Sequence, residues 1–275
     1  MKSVDFLTGK GVDIAKALEI FGDIDTYNQT LGDFKSALEE KIPKLEELKN
    51  AHDMANYAIV VHSMKSDAKY FGFFNFAEVA YQHEMASKEG NVTFVEEDFN
   101  NLITKAKKVL GIVIEYLGTD DEPAQAAAPV EHLDTSPAPA NDDLKIDKPT
   151  IIVADDSNIV RRFVDNSFKE EYNVLSTEDG QYTIDLLNAN IGNKNIKCLL
   201  LDLNMPRKSG FDVLEFMKQH SLFDMVPVSI ITGEASKEGI DNAFKYPVVD
   251  MLQKPFTGED VKNLVNKTIE SSDWI

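Results

Sequence analysis

A chain of 275 residues with 43% hydrophobic and 27% charged residues is long for one core and comfortable for two, in a composition ordinary for soluble globular domains. The formal charge of −19 is spread as −6 over residues 1–118, −6 over 119–148 and −7 over 149–275, and no Lys/Arg cluster could neutralise phosphates along a duplex, which argues against a nucleic-acid partner. No window reaches the ~18 apolar residues of a membrane span, Met1-Lys2-Ser3-Val4-Asp5 opens no signal peptide, and the one cysteine, Cys198, excludes an internal disulfide, so a cytoplasmic protein without membrane insertion is expected.

Residues 1–118 read as helical throughout. Asp13 can cap a helix through Phe21, closed by Gly22, and Asp25 can cap another carrying Tyr27, Leu31, Phe34 and Leu38. Pro43 suits the first turn of a following helix, and Thr93-Phe94-Val95-Glu96 reads as a capping box before an amphipathic run to Leu117. Four or more helices with short connections suggest an antiparallel bundle.

Within it, Tyr57, Val61, Met64, Ala68 and Phe71 recur at three- and four-residue steps and mark a core face. His62, Lys65, Ser66 and Lys69 share a different face, expected to be exposed. A histidine beside two lysines can hold a phosphoryl group while the cations offset its charge. Mid-helix histidines are more often surface or packing residues. His52 and His83, on helices without lysine partners, and His220, at a helix end, are read as structural.

Residues 119–148 carry four prolines, six alanines and no aromatic residue, too little apolar area for self-ordering. They read as a flexible tether in which His132 is inert.

Beyond the tether, Ile151 to Ala154 is a short apolar run ending in Asp155-Asp156, followed by a helical stretch from Asn158 to about Phe168. Cys198-Leu199-Leu200-Leu201 ends in Asp202 and is stopped by Pro206, with Cys198 a small core hydrophobe. Val228 to Ile231 ends in Thr232, and Val249 to Gln253 ends in Lys254-Pro255. Such runs are strands buried on both faces of a parallel sheet, where ligands sit beyond the carboxyl ends. Three clustered carboxylates repel one another, and a hard divalent cation such as Mg²⁺ would relieve the strain while Lys254 meets a phosphoryl oxygen.

The succession Asp155-Asp156, Asp202, Thr232, Lys254-Pro255 resembles the receiver domain of two-component response regulators over about residues 149–275. That resemblance implies a doubly wound, flavodoxin-like α/β fold with a five-stranded parallel sheet. It makes Asp202 the phosphoacceptor, with Mg²⁺ held by Asp155, Asp156, Asp202 and the backbone carbonyl of Asn204. Thr232 follows the phosphoryl group, Lys254 is its counter-charge, and the bond to Pro255 is cis. Met251 replaces the aromatic residue usual three positions before the lysine, so part of the family's read-out is missing.

Gly11-Val12-Asp13, Phe21-Gly22-Asp23, Tyr27 and His62-Ser63-Met64-Lys65-Ser66, ending in Phe71-Gly72, resemble a histidine phosphotransfer (HPt) domain, with Glu84 matching an acid often found on its next helix. Ser66, where glycine is usual, and the bulky Tyr70-Phe71 depart from the pattern. The combined expectation is multidomain: an all-α HPt-like bundle at 1–118, an acidic linker at 119–148 and a receiver at 149–275. It implies a phosphorelay intermediate carrying phosphate on His62, assisted by Lys65 and Lys69, and on Asp202. Its partners would be a sensor histidine kinase and other receiver or HPt proteins. No Walker loop and no kinase-type glycine boxes occur, so the chain is expected to carry phosphate without using ATP. Two alternatives stand beside this reading: an interaction module switched by Asp202 phosphorylation with His62 inactive, and a hydrolytic phosphatase, against which Asn204 replaces the usual second aspartate.

Overall fold

The computed structural model describes residues 1–118, 148–233 and 237–271; the expected tether and His132 lie outside the described residues. The first part is helical: α1 (Val4–Gly9), α2 (Ile14–Phe21), α3 (Ile24–Asn50), α4 (Met54–Tyr70), α5 (Phe74–Lys88) and α6 (Val92–Leu117). The four long helices α3 to α6 pack in sequence, and α6 returns against α3 to close the ring.

Asp13 caps α2 as read, its carboxylate accepting from the Lys16 N–H at 3.1 Å. Three boundaries differ from the sequence reading. Asp23 rather than Asp25 caps α3, because its extended backbone aims the carboxylate at the Thr26 N–H, 2.8 Å away. Pro43 lies inside α3 instead of opening a new helix. It sits on the exposed side, as does Glu39 one turn before, so water can satisfy the carbonyl left without its donor while buried Leu38, Leu45 and Leu48 hold both flanks. Asn91, not Thr93, caps α6 by accepting from the Phe94 N–H. His52 stands in the turn between α3 and α4 at φ 54°, not on a helix.

The second part alternates strand and helix: β1 (Thr150–Ala154), α7 (Asn158–Phe168), β2 (Asn173–Thr177), α8 (Gly180–Ala189), β3 (Ile196–Leu201), α9 (Gly210–Gln219), β4 (Val228–Thr232), α10 (Lys237–Ala243), β5 (Val248–Gln253) and α11 (Gly258–Glu270). The strands form one parallel sheet in the order β2-β1-β3-β4-β5. Register places Ala154 beside Leu201 and Leu201 beside Ile230, so the residues that follow β1 and β3 emerge side by side. Every residue of β1 and β4 is buried, as expected of inner strands covered on both faces. Edge strand β2 is half-buried and mixed in polarity, which left no apolar run to recognise.

The two sheet faces feed different cores. Ile152, Leu199, Leu201 and Ile230 pack with Leu214 and Met217 of α9. Ile151, Val153 and Leu200, with Phe163 of α7 and Phe256, belong to an apolar cluster that continues through Phe21, Tyr70 and Phe71 to the centre of the helical part. Cys198 is buried here, its thiol pushed up to about 12 by burial, in keeping with a core role.

Candidate functional site

The carboxyl ends of β1, β3, β4 and β5 bring together the residues singled out in the sequence. Asp155, Asp156 and Asp202 each offer an oxygen, all within 4.8 Å of one another. Asp202 is fully buried, its N–H donating to the Ala154 carbonyl at 2.8 Å, which locks the turn after β3 to the end of β1. The Lys254 ammonium lies 2.5 Å from Asp155 Oδ2 and 2.7 Å from Asp202 Oδ2. Its backbone is fixed by donation to the Thr232 carbonyl, and the Lys254–Pro255 bond is cis. Backbone N–H groups hold the other carboxylate oxygens: Ser157 donates to Asp155 Oδ1 at 3.0 Å and Asn204 to Asp202 Oδ1 at 3.2 Å.

Electrostatics here are unbalanced. Burial raises the pKa of Asp155 and Asp156, and the neighbouring carboxylates add to the rise, while Lys254 opposes it. Burial would lower the Lys254 pKa, but Asp155, Asp202 and Asp156 together hold it well above its ordinary value. Two buried acids, Asp155 and Asp202, and the half-buried Asp156 face one buried cation and form a donor set of hard oxygens with surplus negative charge, which fits a divalent cation of the Mg²⁺ type. The Thr232 hydroxyl is buried beside them without a hydrogen-bond partner among the described residues.

Gly210, which opens α9, is part of this frame and was not singled out in the sequence. A methyl group there would overlap the backbone carbonyl of Asp202, which cannot swing aside as a side chain could. Gly210→Ala is therefore expected to destabilise the chain by about 1–3 kcal/mol in thermal melts and to slow modification of Asp202. An unchanged melting temperature would mean that α9 does not press on Asp202.

The helical part delivers a second set of groups. His62 Nδ1 lies 2.7 Å from Glu84 Oε1, Lys65 Nζ 2.8 Å from Glu84 Oε2, and Lys88 Nζ donates to Glu84 Oε1 at 2.6 Å. Burial by itself would raise the Glu84 pKa, but the hydrogen bond to His62 and the charges of His62, Lys65 and Lys88 hold it well below the ordinary value. The carboxylate thus fixes the imidazole through Nδ1 and leaves Nε2 as the ring nitrogen that faces away from it. Lys69, one turn beyond Lys65, is half-buried.

The expectation of an exposed histidine face is wrong. His62 and Lys65 are each 1% exposed and Ser66 3%. The α/β part covers them: a Cβ on Gly233, next to Thr232, would lie 3.3 Å from His62 Cε1 and 3.4 Å from Nε2. Nε2 is buried, has no hydrogen-bond partner among the described residues, and adjoins the strand-end crevice. A cavity of about 450 Å³ at the junction is lined by His62, Ile59 and Lys88 on one side and by Leu203, Asn204 and Met205 on the other. The core face did match: Tyr57, Val61, Met64, Ala68 and Phe71 are all fully buried.

Asp67 was missed. It is buried, takes an ion pair from Lys41 at 2.7 Å, and accepts from Ser157 Oγ of the α/β part at 2.6 Å. No spacing rule links residues 90 positions apart, so sequence had no signal for it. His83 is structural, its ring between the Tyr57 hydroxyl and Asp98. His220 caps the end of α9 with its ring against Phe216.

The parallel sheet, its strand order and the acidic crevice with one buried lysine define a doubly wound α/β domain of flavodoxin type. A family model described as the response regulator receiver domain matches residues 151–266. The chemotaxis protein CheY1 of Helicobacter pylori is 30% identical over 125 residues, covering 45% of this chain and 98% of that protein. A CheY homologue of Campylobacter jejuni is 30% identical over 41% of this chain and 85% of its own, and the two-component response regulator ORR3 of rice (Oryza sativa subsp. indica) is 26% identical over 44% and 92%. The chain belongs to the response regulator receiver family through this C-terminal part. No helix among the described residues is long and apolar enough to cross a membrane.

Proposed function

We propose that the chain is a phosphorelay intermediate in which residues 1–118 act as a histidine phosphotransfer domain and residues 149–275 as its receiver. Phosphate is carried on His62 Nε2 and on the Asp202 carboxylate. The observation that carries this reading is the buried Nε2 of His62, unpartnered among the described residues, beside Gly233 at the mouth of the acidic crevice.

In the transfer, the Nε2–P bond breaks and an Asp202 O–P bond forms. The electron pair returns to Nε2, giving neutral imidazole with its Nδ1 proton held by Glu84, so no other proton needs to move. Little covalent help is needed from the protein; position and charge neutralisation dominate phosphoryl transfer. Lys254 and the Thr232 hydroxyl receive the phosphoryl oxygens, and Lys65 and Lys69 lie on the His62 side. Asp155, Asp156, Asp202 and the Asn204 carbonyl would hold Mg²⁺, which supplies charge neutralisation for the phosphoryl group. The chain uses no ATP of its own, so phosphate enters from a sensor histidine kinase or another receiver at His62, or from a small phosphodonor at Asp202.

The two sites lie on one chain, which makes their encounter intramolecular and favours exchange within one chain. The test is to label His62 in wild type and in Asp202→Ala. Label is expected to leave His62 at least tenfold more slowly in the variant. Equal decay would rule out the intramolecular route.

A further inference from the structure

The two parts that meet at His62 are both anionic, −6 for residues 1–118 and −7 for 149–275, so their approach is opposed at long range. Their contact must therefore be selected by local chemistry, and helix α7 with the residue before it supplies that chemistry. Ser157 donates to buried Asp67 at 2.6 Å, with Lys41 holding the carboxylate from behind. Arg162 donates to Asp33 Oδ1 at 2.6 Å. Its neighbour Arg161 turns the other way and donates to the Asp155 and Asp156 carbonyls, so the two arginines divide the work: one braces the acidic loop, the other crosses to α3. Between these pairs the Phe163 ring meets Phe21 edge-on at 6.0 Å and Tyr70 at 6.1 Å, and Phe256 meets Tyr70 edge-on at 5.9 Å.

Deepening the reading above, on which its purpose rests, we propose that Arg162–Asp33 and Ser157–Asp67 are the specificity-determining pairs that seat this chain's own α/β part over His62. The aromatic patch provides adhesion of general kind; the two polar pairs decide which protein fits. The resident receiver is then a competitor for the histidine face, and an outside kinase or receiver reaches His62 only while the seat is vacated. The same contact sets the orientation in which the imidazole meets Gly233, because Ser157 directly follows the Asp155-Asp156 pair.

The test uses the full chain and diethyl pyrocarbonate, which modifies accessible imidazoles, with sites read by mass spectrometry. His52, whose side chain is 66% exposed, is the internal reference. In wild type His62 is expected to react at least about tenfold more slowly than His52. Asp33→Arg and Arg162→Asp, each placing like charges face to face, are expected to speed His62 modification about tenfold. The combined swap Asp33→Arg/Arg162→Asp is expected to restore most of the protection. If either reversal unfolds the chain by circular dichroism, Asp33→Asn and Arg162→Gln take its place, with the same expected direction. Fast His62 modification in wild type, single variants without effect, or a double swap without recovery each overturn the proposal. Because the probe reads access to His62 and not phosphoryl flow, a failure of transfer to Asp202 leaves its outcome untouched.

Discussion

The Asp202→Asn chain is expected to accept no phosphoryl group from acetyl phosphate and yet to melt at a higher temperature than wild type in the absence of divalent cations. The two effects share one cause. Asp202 is a buried carboxylate set against two others, with Lys254 between it and Asp155. An amide oxygen is no nucleophile toward phosphorus, so labelling should fall at least about 1,000-fold. The same substitution deletes one like charge from the cluster, which relieves Asp155 and Asp156 and stabilises the fold by on the order of 1–2 kcal/mol, a few degrees of melting temperature. Scanning calorimetry in EDTA at neutral pH measures it. A lower melting temperature for Asp202→Asn would show that the acids are not in mutual strain.

The pH dependence has a definite sign. Asp155 and Asp156 have raised pKa values in the folded chain, so that state holds protons the unfolded chain has released. Stability therefore declines as pH climbs from the ordinary carboxylate value through the raised ones. Added Mg²⁺ should stabilise most at the upper end of that climb, where the ligands are ionised, and least at its acid end. In Asp202→Asn the decline should be shallower.

Lys254→Met is expected to act in the opposite direction and more strongly. Methionine matches much of the lysine stem but leaves Asp155 and Asp202 without the cation 2.5 and 2.7 Å away. Breaking a buried pair by removing one partner costs about 3–5 kcal/mol. The melting temperature should fall by roughly 10 °C at neutral pH, and saturating Mg²⁺ should recover more of it than the ion adds to wild type. Phosphoryl acceptance should fall steeply even with Mg²⁺, because a phosphoryl oxygen loses its counter-charge. Equal Mg²⁺ stabilisation of both chains would mean that Lys254 and the cation do not answer the same surplus charge.

The strand-end residues were legible because inner parallel strands are short apolar runs, and a lone polar residue at their end stands out against them: Asp155, Asp202, Thr232 and Lys254 all did. Edge strand β2 was not, since half of it faces water and its composition is mixed. In the helical part the core face of α4 followed from spacing, whereas boundaries slipped where several residues could serve: Asp23 against Asp25, Asn91 against Thr93, and Pro43 tolerated on an exposed face. Cap choice depends on backbone angles that composition does not specify.

By itself, then, the sequence determined which residues could do chemistry and which local element would carry each of them, because those follow from periodicity and from the residue types that end a strand. Tertiary structure decided what His62 faces. A helix face of His62, Lys65 and Ser66 is polar enough to suit water, and sequence reasoning assigned it to water. Its burial comes from surfaces far along the chain: Gly233 leaving room for the imidazole, Ser157 reaching Asp67 and Arg162 reaching Asp33. The last two matches join residues 90 and 129 positions apart, and no local pattern encodes any of the three.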